Sequence, residues 1–397
     1  MIGMRSRIAY ISFDTVPAPK GAATHIQAFV QTLARRFGAL DLVTVSTAME
    51  QTPAIERWPG VSHYALPATG KSLIDRVLCF QLFLSRWLDQ RSFEAVQFRS
   101  TFEGLPLLAL RGHSRLIFEV NGLPSIELKY RYPGAADDRE LMRKLILQEA
   151  ACLKAADLIV TPSRVTCEYL ASSRRVPREK IQVIPNGVDL ELFQAPPRND
   201  RDATVRLLYF GTLAAWQGVE LGIRALAQIS GRLDATLTII GTGTGRQRNA
   251  LSALAAKLGV GARVTVLPPA PQSELAGYLR TADAILVPLT LTDRNTVQGC
   301  CPLKALEGMA SGTPVIATDL PVVRELGCDG EHFLLVRPGS VDHIAETVVR
   351  LWSDGRLSQR ISEQARKHVE QNYTWGRAGD ALIACYERLG IIRSMTD

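Results

Sequence analysis

The sequence predicts an α/β protein of two domains, each built on a doubly wound parallel sheet with helices on both faces. Short apolar runs alternate with amphipathic stretches along the whole chain, a pattern typical of βαβ units. The chain also has 397 residues, which is too long for one compact core and suits two. We therefore expect two domains of the same kind, one after the other.

Strands in the first half are predicted from apolar runs that turn residues interrupt. The predicted strands are 7–13, 40–45, 95–98, 116–120, 158–161 and 181–184. After the first of them, Ile26, Phe29, Val30 and Leu33 follow a helical period that begins near Gly21. This strand–helix–strand order indicates that the sheet begins at the N-terminal end of the domain.

A polar stretch containing two prolines, QAPPRNDRD at 194–202, interrupts the alternation and predicts a linker. The predicted organisation is a first domain at 1–190, a linker at 191–203 and a second domain at 204–373. The second series has predicted strands at 207–210, 236–240, 264–267, 284–287, 315–317 and 333–336, and closing helices near 341–353, 357–371 and 376–389. Ligands of such sheets bind beyond the carboxyl ends of the strands, so we expect a site in a central cleft that both domains face.

The charge of the chain is concentrated in the first half. The formal net charge is +7, and residues 1–190 carry 24 lysines and arginines against 18 acidic residues. This excess is too mild to indicate a nucleic-acid-binding protein, but it favours an anionic surface or substrate for that half. Scattered, solvated charge is the alternative interpretation.

Neither a metal nor a disulfide framework is predicted. The seven cysteines include no C-x-x-C pair, and the six histidines include no H-E-x-x-H motif. A D-x-D triplet, Asp200-Arg201-Asp202, lies in the linker and is interpreted as solvated charge. No signal peptide and no apolar run of about 20 residues is visible, which favours a cytoplasmic protein.

Three turns that contain glycine follow predicted strands, at Gly21-Ala22-Ala23, Gly211-Thr212 and residues 241–245. Glycine lets backbone N–H groups approach an anion at a helix N-terminus. The turn at 241–245 has the spacing G-x-G-x-G rather than G-x-G-x-x-G, so a nicotinamide cofactor is not expected. Tight strand-to-helix turns are the alternative.

The segment QGCCPLKALEGMASGTPVIA at 298–317 carries the most chemical information. Pro302 suits the first turn of a helix and Gly312 suits its C-terminal end. Lys304 and Glu307 lie three residues apart, so both project from one side of that helix. A nucleotide diphosphate would suit them, with Lys304 at phosphate and Glu307 at ribose hydroxyls. An exposed ion pair within the helix is the alternative.

With these motifs the chain resembles the retaining glycosyltransferases of family 4, which have two Rossmann-like domains (the GT-B fold) and use nucleotide-sugar donors. The resemblance rests on KIQVIPNGVD at 180–189, on EGMASGTPVIA at 307–317, and on Tyr373-Thr374-Trp375 before the last helix. In the family that helix, here about 374–397, crosses back onto the first domain. The resemblance covers nearly the whole chain.

The resemblance implies that Glu307 binds ribose, but three positions depart from the family pattern. Gly299 stands where the first glutamate of the family's E-x7-E motif is expected. Thr212 and Gln217 stand where the family often has an arginine and a lysine at phosphate. We expect Lys304 and Arg294 to compensate for the missing cations.

In the first domain, Asn121 stands where family members often have a histidine close to the donor sugar. Asparagine hydrogen-bonds but does not titrate near neutral pH. The resemblance implies that no protein base is indispensable, because the leaving phosphate can take the acceptor's proton. Glu119 is either catalytic or a structural carboxylate that caps the loop.

These observations predict a retaining transfer of a hexose from a UDP- or GDP-type sugar to a hydroxyl of a lipid-linked acceptor or a growing polysaccharide. Its rivals are a nucleotide-sugar epimerase on the same fold and a non-catalytic nucleotide-sugar-binding protein. The predicted catalytic residues are Asn121, Glu119 and Lys304. The predicted donor-site residues are Gly211, Thr212, Gln217, Gly241, Gly243, Leu267, Gly299, Cys300, Cys301, Leu303, Lys304 and Glu307. The predicted acceptor-side or glycine-loop residues are Gly21, Ala22, His25, Lys129 and Arg131. No metal and no cofactor other than the donor is expected.

Residues 71–91 predict an apolar helix that has two interpretations. It is either a buried crossover helix or a helix lying on an anionic membrane, with Arg76, Arg86 and Arg91 at the headgroups. The positive charge of the first half keeps open a peripheral location on the inner face of the plasma membrane.

Overall fold

The computed structural model describes residues 8–50, 53–132, 134, 137–194 and 203–392. The chain divides into two compact units. The first contains Met1–Ala18, Ala22–Pro185 and Ala378–Asp397, and the second contains Pro19–Gly21 and Asn186–Arg377. The predicted boundary lay at residue 190, whereas the units divide after Pro185, and Gly21 groups with the second unit. The predicted linker lies partly outside the described residues, as does the D-x-D triplet.

The first unit is built on one sheet with the strand order β3-β4-β2-β1-β5-β6-β7-β8. Its strands are β1 Ile8–Ile11, β2 Leu40–Ser46, β3 Ile55–Trp58, β4 Val61–Pro67, β5 Ala95–Phe98, β6 Arg115–Glu119, β7 Leu158–Thr161 and β8 Ile181–Val183. All neighbours pair parallel except β3 and β4, which pair antiparallel at the edge. The order reverses between β1 and β5, so ligands of this sheet are expected beyond their carboxyl ends.

Helices cover both faces of the first sheet. They are α1 Gly21–Phe37, α2 Leu73–Leu88, α3 Thr101–Leu107, α4 Pro124–Arg131, α5 Arg139–Ala155 and α6 Arg164–Ser172. One face packs Phe80 and Leu84 of α2 and Cys152 of α5 against Phe98 and Phe118 of the sheet. This confirms that α2 is a packed helix of the unit.

The second unit has a fully parallel sheet with the order β11-β10-β9-β12-β13-β14. Its strands are β9 Val205–Thr212, β10 Ala235–Thr242, β11 Val264–Leu267, β12 Ala284–Val287, β13 Val315–Thr318 and β14 Leu334–Val336. Its helices are α7 Val219–Ile229, α8 Gly245–Lys257, α9 Gln272–Thr281, α10 Leu303–Ala310, α11 Pro321–Arg324, α12 Val341–Ser353 and α13 Gly355–Asn372, and α14 Trp375–Arg388 follows. Here the order reverses between β9 and β12. The doubly wound sheets predicted from the sequence are confirmed.

Two of the sequence motifs meet inside the second unit. The backbone N–H of Val188 donates to the carbonyl of Tyr373 over 2.9 Å, and Val188 forms a parallel bridge with Thr374. A Cβ on Gly187 would lie 2.2 Å from the backbone nitrogen of Trp375, so only glycine fits there. The P-N-G-V-D segment and the Y-T-W segment are therefore adjacent, hydrogen-bonded segments of the second unit.

Among the described residues, no helix combines the length and the apolar character needed to cross a membrane.

Candidate active site

A buried carboxylate, Glu119 at the end of β6, is the centre of a polar cluster in the first unit. Its Oε2 accepts hydrogen bonds from the Tyr10 hydroxyl and the Gln97 amide, both over 2.6 Å. Its Oε1 lies 3.0 Å from Nε of Arg99 and 2.9 Å from Nε2 of His25. All five side chains are buried. Both carboxylate oxygens are thus committed to partners within the unit.

The strand register explains why these residues meet. Tyr10 pairs with Gln97, and Gln97 pairs with Ile117. Glu119 lies two residues beyond Ile117, and Arg99 lies two residues beyond Gln97, so all of them share one face of the sheet. The cluster lies where the strand order reverses, at the carboxyl ends of β1, β5 and β6.

The cluster keeps Glu119 ionised. Burial alone would raise the pKa of Glu119, but His25, Arg99 and the hydrogen bond from Tyr10 lower that pKa far below its ordinary value. Burial likewise opposes the charge on Arg99, yet Glu119 raises the pKa of Arg99 above its ordinary value. An ionised carboxylate only accepts hydrogen bonds, so the side chains of Tyr10 and Gln97 must donate to it.

Two further groups connect this cluster to the loops at the strand ends. The Asn121 amide donates to Oε1 of Glu119. Nη1 of Arg99 donates to the Ala22 carbonyl over 3.3 Å and lies 3.5 Å from Oδ2 of Asp14. The cluster therefore positions the loop that precedes α1 and the loop that follows β6.

In the second unit, Lys304 occupies the corresponding place beside the carboxyl end of β9. Its Nζ donates to Oε1 of Gln217, and lies 3.1 Å from the Tyr209 hydroxyl and 4.2 Å from the centre of the Tyr209 ring. A Cβ on Gly211 would come within 3.3 Å of Cε of Lys304, so the glycine leaves room for this side chain. Gly211, Gln217 and Lys304 are therefore brought together, as the sequence predicted for a phosphate site.

Lys304 and Glu307 are both buried, so they do not form an exposed pair. The pKa of Lys304 is lowered to about 7, chiefly by burial and also by the charge of Arg294, while Cys300 and Glu307 oppose the shift. Burial raises the pKa of Glu307 to about 7, although a hydrogen bond from Gln272 and the charge of Lys304 oppose the rise. The Gln272 amide donates to Oε1 of Glu307 over 3.2 Å. The helix thus carries two groups that titrate near neutral pH.

The segment between β12 and α10 is a short π-helical turn, Arg294–Gln298, that ends at Gly299. Gly299 has φ +85°, a conformation that side chains other than glycine rarely adopt. Its N–H donates to the Arg294 carbonyl over 3.0 Å. The backbone therefore requires a glycine at the position where the family pattern has a glutamate.

Asn295 fixes this turn to the loop that follows β9. Its amide donates to the carbonyls of Trp216 and Thr290, each over 2.9 Å. The Arg294 guanidinium lies 5.2 Å from the Trp216 ring centre. Arg294 is thereby held beside the loop in which the family's second cation is missing.

Two family models match the chain. Residues 19–192 match the one described as Glycosyltransferase Family 4, and residues 204–354 match the one described as Glycosyl transferases group 1. Together they span both units. The chain is a glycosyltransferase of the family 4 type.

The glycosyltransferase has relatives of similar length. The D-inositol 3-phosphate glycosyltransferase of Xylanimonas cellulosilytica is 25% identical over 96% of both chains. The D-inositol 3-phosphate glycosyltransferase 1 of Catenulispora acidiphila is 27% identical over 96% of this chain and 95% of its own. These relatives and the family models make the protein a transferase of glycosyl groups.

Solved structures show the same fold. Sucrose-phosphate synthase from Thermosynechococcus elongatus superposes with a TM-score of 0.81 at 21% identity, covering 97% of this chain and 99% of that one. HepE of Anabaena in complex with UDP-glucose gives a TM-score of 0.73 at 15% identity, covering 96% and 99%. The GT-B architecture expected from the sequence is confirmed.

Several residues predicted for the donor site of the glycosyltransferase have local structural roles. A Cβ on Gly241 or Gly243 would collide with Leu213, so these glycines allow the chain to pack closely. The Thr212 carbonyl accepts from the Tyr209 hydroxyl over 2.5 Å. The remaining donor-site predictions are Leu267 at the end of β11, the buried pair Cys300 and Cys301, and Leu303 at the start of α10.

The first-unit predictions divide into two groups. His25 and Ala22 belong to the Glu119 cluster. Lys129 and Arg131 lie on α4, where Lys129 stacks on Tyr130 and Arg131 pairs with Glu127 over 3.6 Å. Their role toward an acceptor remains a prediction.

Sequence reasoning missed Tyr10, Gln97 and Arg99 in one unit, and Tyr209 and Asn295 in the other. Arg99 follows a buried strand directly, so its place at a strand end was visible in the sequence. Each of the others has at least one polar partner that is remote in the chain, such as Glu119 for Tyr10 and Trp216 for Asn295.

Cys328, Glu331 and His332 form a group of possible metal ligands within the described part of the chain, their ligand atoms lying within 4.8 Å of one another. Nδ1 of His332 already accepts from the Cys328 N–H over 2.9 Å. The expectation that no metal takes part remains a prediction.

Proposed function

We propose that this glycosyltransferase moves a hexose, with retention, from a UDP- or GDP-type donor to an acceptor hydroxyl. The main support for this proposal is the buried ammonium of Lys304 at the carboxyl end of β9. Its hydrogen-bond partners, Gln217 and Tyr209, are uncharged. A buried cation held this way is stabilised by an anion, and a helix N-terminus beside it favours phosphate. Lys304 and Arg294 then serve in place of the cations missing at Thr212 and Gln217.

The donor proposal is supported by Glu307 and by the solved relatives. Glu307 lies one turn along α10 from Lys304, so a diphosphate at Lys304 would bring ribose hydroxyls toward it. HepE binds UDP-glucose, which is a donor of this type. Neither observation selects uridine over guanosine.

The acceptor proposed is a lipid-linked saccharide or a growing polysaccharide. The excess of positive charge on residues 1–190 favours an acceptor that carries, or is anchored beside, negative charge. The relatives named D-inositol 3-phosphate glycosyltransferase make a phosphorylated cyclitol the first alternative to test.

For the chemistry, the protein contributes positioning and electrostatics. Glu119 is ionised but surrounded by donors, so it is poorly suited to take a proton. The leaving phosphate oxygen can take the proton of the attacking hydroxyl, while Lys304 stabilises the charge that develops on the diphosphate. Asn121, just beyond the end of β6, contributes a hydrogen bond to the substrate.

Glu307→Gln is expected to weaken donor binding roughly tenfold, because a carboxylate that accepts from two ribose hydroxyls is replaced by a single amide oxygen. Titration calorimetry with UDP and GDP, followed by a panel of donor sugars, measures this effect. Glu274→Gln, on the exposed first turn of α9, is the matched control. Donor binding and turnover at wild-type levels in E307Q would contradict the assignment, and binding without any turnover by the wild type would favour a non-catalytic binder.

A peripheral membrane location is also proposed, through the outer surface of α2. Its exposed apolar row consists of Ile74, Leu78 and Leu82, which are spaced one turn apart. Arg76 and Arg91 are engaged within the unit, since Arg76 donates to the Ala68 carbonyl and Arg91 stacks on Trp87. Arg86 and Lys71 are the exposed cations near this row.

Leu78→Glu combined with Leu82→Glu is expected to reduce binding to anionic phosphatidylglycerol vesicles at low salt by roughly tenfold or more, because two apolar side chains no longer insert. Co-sedimentation measures the bound fraction. Met49→Glu changes another exposed apolar residue, 78% accessible, and serves as the control. Equal binding by the double variant and the control would exclude this surface.

A further inference from the structure

The last helix, α14, reaches the Glu119 cluster through one hydroxyl. Tyr386 is fully buried and donates to Oε1 of Gln97 over 2.8 Å. Gln97 in turn donates to Oε2 of Glu119. Tyr386 is therefore two hydrogen bonds from a carboxylate that also contacts Asn121.

The negative charge of Glu119 determines which group donates in each hydrogen bond between Tyr386 and Asn121. Because Glu119 is ionised, Gln97 must present its NH2 to it, and its carbonyl oxygen must then face Tyr386. Burial raises the pKa of Tyr386 well above its ordinary value, so the hydroxyl remains protonated and donates. On the other side, Asn121 must also present its NH2 to Glu119.

We infer that Tyr386 is a positioning residue of the enzyme: through Gln97 and Glu119 it orients the Asn121 amide so that its carbonyl oxygen is the atom offered to a substrate hydroxyl. This inference rests on the proposed function, together with the family resemblance that implies a place for Asn121 close to the donor sugar. Asn121 is partly exposed at the strand end, whereas Gln97 and Glu119 are buried. If the Tyr386 hydroxyl is removed, the buried side-chain carbonyl of Gln97 loses the hydrogen bond from that hydroxyl. If the Gln97 amide then rotates, its NH2 group no longer donates to Glu119.

The test is a double-mutant cycle between Tyr386→Phe and Asn121→Ala, with initial rates measured at saturating donor and acceptor. Y386F is expected to lower kcat roughly three- to tenfold and to leave the KM for the donor nearly unchanged. In the N121A background the same change is expected to have no further effect, because the group it positions is gone. Equal losses of kcat in both backgrounds would overturn the inference.

Tyr169→Phe is the matched control, since the Tyr169 hydroxyl accepts from Nε of Arg174 over 2.9 Å in the same unit, away from Glu119. A kcat loss in Y169F equal to that in Y386F would mean that losing either hydroxyl only destabilises the fold, and it would overturn the positioning role of Tyr386. A second readout needs no turnover: the side-chain amide NMR signals of Asn121, identified by their absence in N121A, should move in Y386F and not in Y169F. If the wild type transfers no sugar, the proposed function fails, while this spectrum still decides whether Tyr386 orients Asn121.

Discussion

Lys304→Met is expected to lower kcat/KM for the donor by about 10²–10³-fold, as is typical when one preorganised group that stabilises developing charge is removed. Lys304 is the buried cation beside the end of β9, and methionine keeps most of its volume without its charge. The thermal midpoint of the ligand-free protein should not fall, because burial disfavours the charge that methionine removes. Activity assays and thermal scans on the same preparation separate loss of the site from loss of the fold.

The donor affinity of the wild type should decline as pH rises through about 7. Lys304 loses its positive charge in this range, since burial lowers its pKa to about 7, and a neutral amine attracts a diphosphate less than an ammonium does. Lys304→Met lacks this ionisation and should show a shallower decline of whatever donor affinity it retains. A donor affinity that is constant across this range, or K304M activity within a few-fold of wild type, would contradict a phosphate role for Lys304.

Glu119→Gln is expected to destabilise the protein by about 3–5 kcal/mol, because removing one partner of a buried ion pair leaves the other charge uncompensated. Arg99 and His25 both lie against this carboxylate. Urea unfolding at neutral pH measures the loss. Glu140→Gln, in an exposed pair with Arg143, should change the unfolding midpoint little and is the control.

The contribution of Glu119 to the free energy of unfolding also depends on pH in a defined way. Its pKa is depressed in the folded state, so its stabilisation is fully present above the ordinary value of about 4.5 and is lost as pH falls toward the folded-state pKa. The difference in unfolding free energy between wild type and E119Q should therefore shrink below about pH 4.5. A difference that is small at neutral pH, or that grows on acidification, would show that Glu119 is not the ionised centre of the cluster.

The sequence predicted most of the sheets because their strands are continuous apolar runs buried on both faces. Residues 95–98, 158–161 and 284–287 are strands with the predicted limits. The hairpin of β3 and β4 was missed because Ile55–Trp58 is a largely exposed edge strand without such a run. β9 and β10 run longer than predicted because Gly-Thr pairs continue their ladder to residues 212 and 242.

The candidate site was predictable where the signal is local. Lys304 and Glu307 follow from their spacing on one helix, and Gly211 follows from its place after a strand. Gln217 was predicted for the same site, but the direct contacts of Lys304 with Tyr209 and Gln217 were not predictable, because these residues lie 95 and 87 residues away along the chain. The sequence marked Gln217 as a position where the family often has a lysine. In the structure, the Gln217 side chain instead accepts a hydrogen bond from the ammonium of Lys304.

The first unit is assembled from segments that are made at very different times. Residues up to Pro185 and those from Ala378 onward belong to it, and the intervening chain builds the second unit. At about 5–20 residues per second, roughly 15–60 s of synthesis separate β5, the strand that carries Gln97, from α14, the helix that carries Tyr386. During that interval the sheet exists without its final helix, and the enzyme acquires its complete polar cluster only when the second unit has already been made.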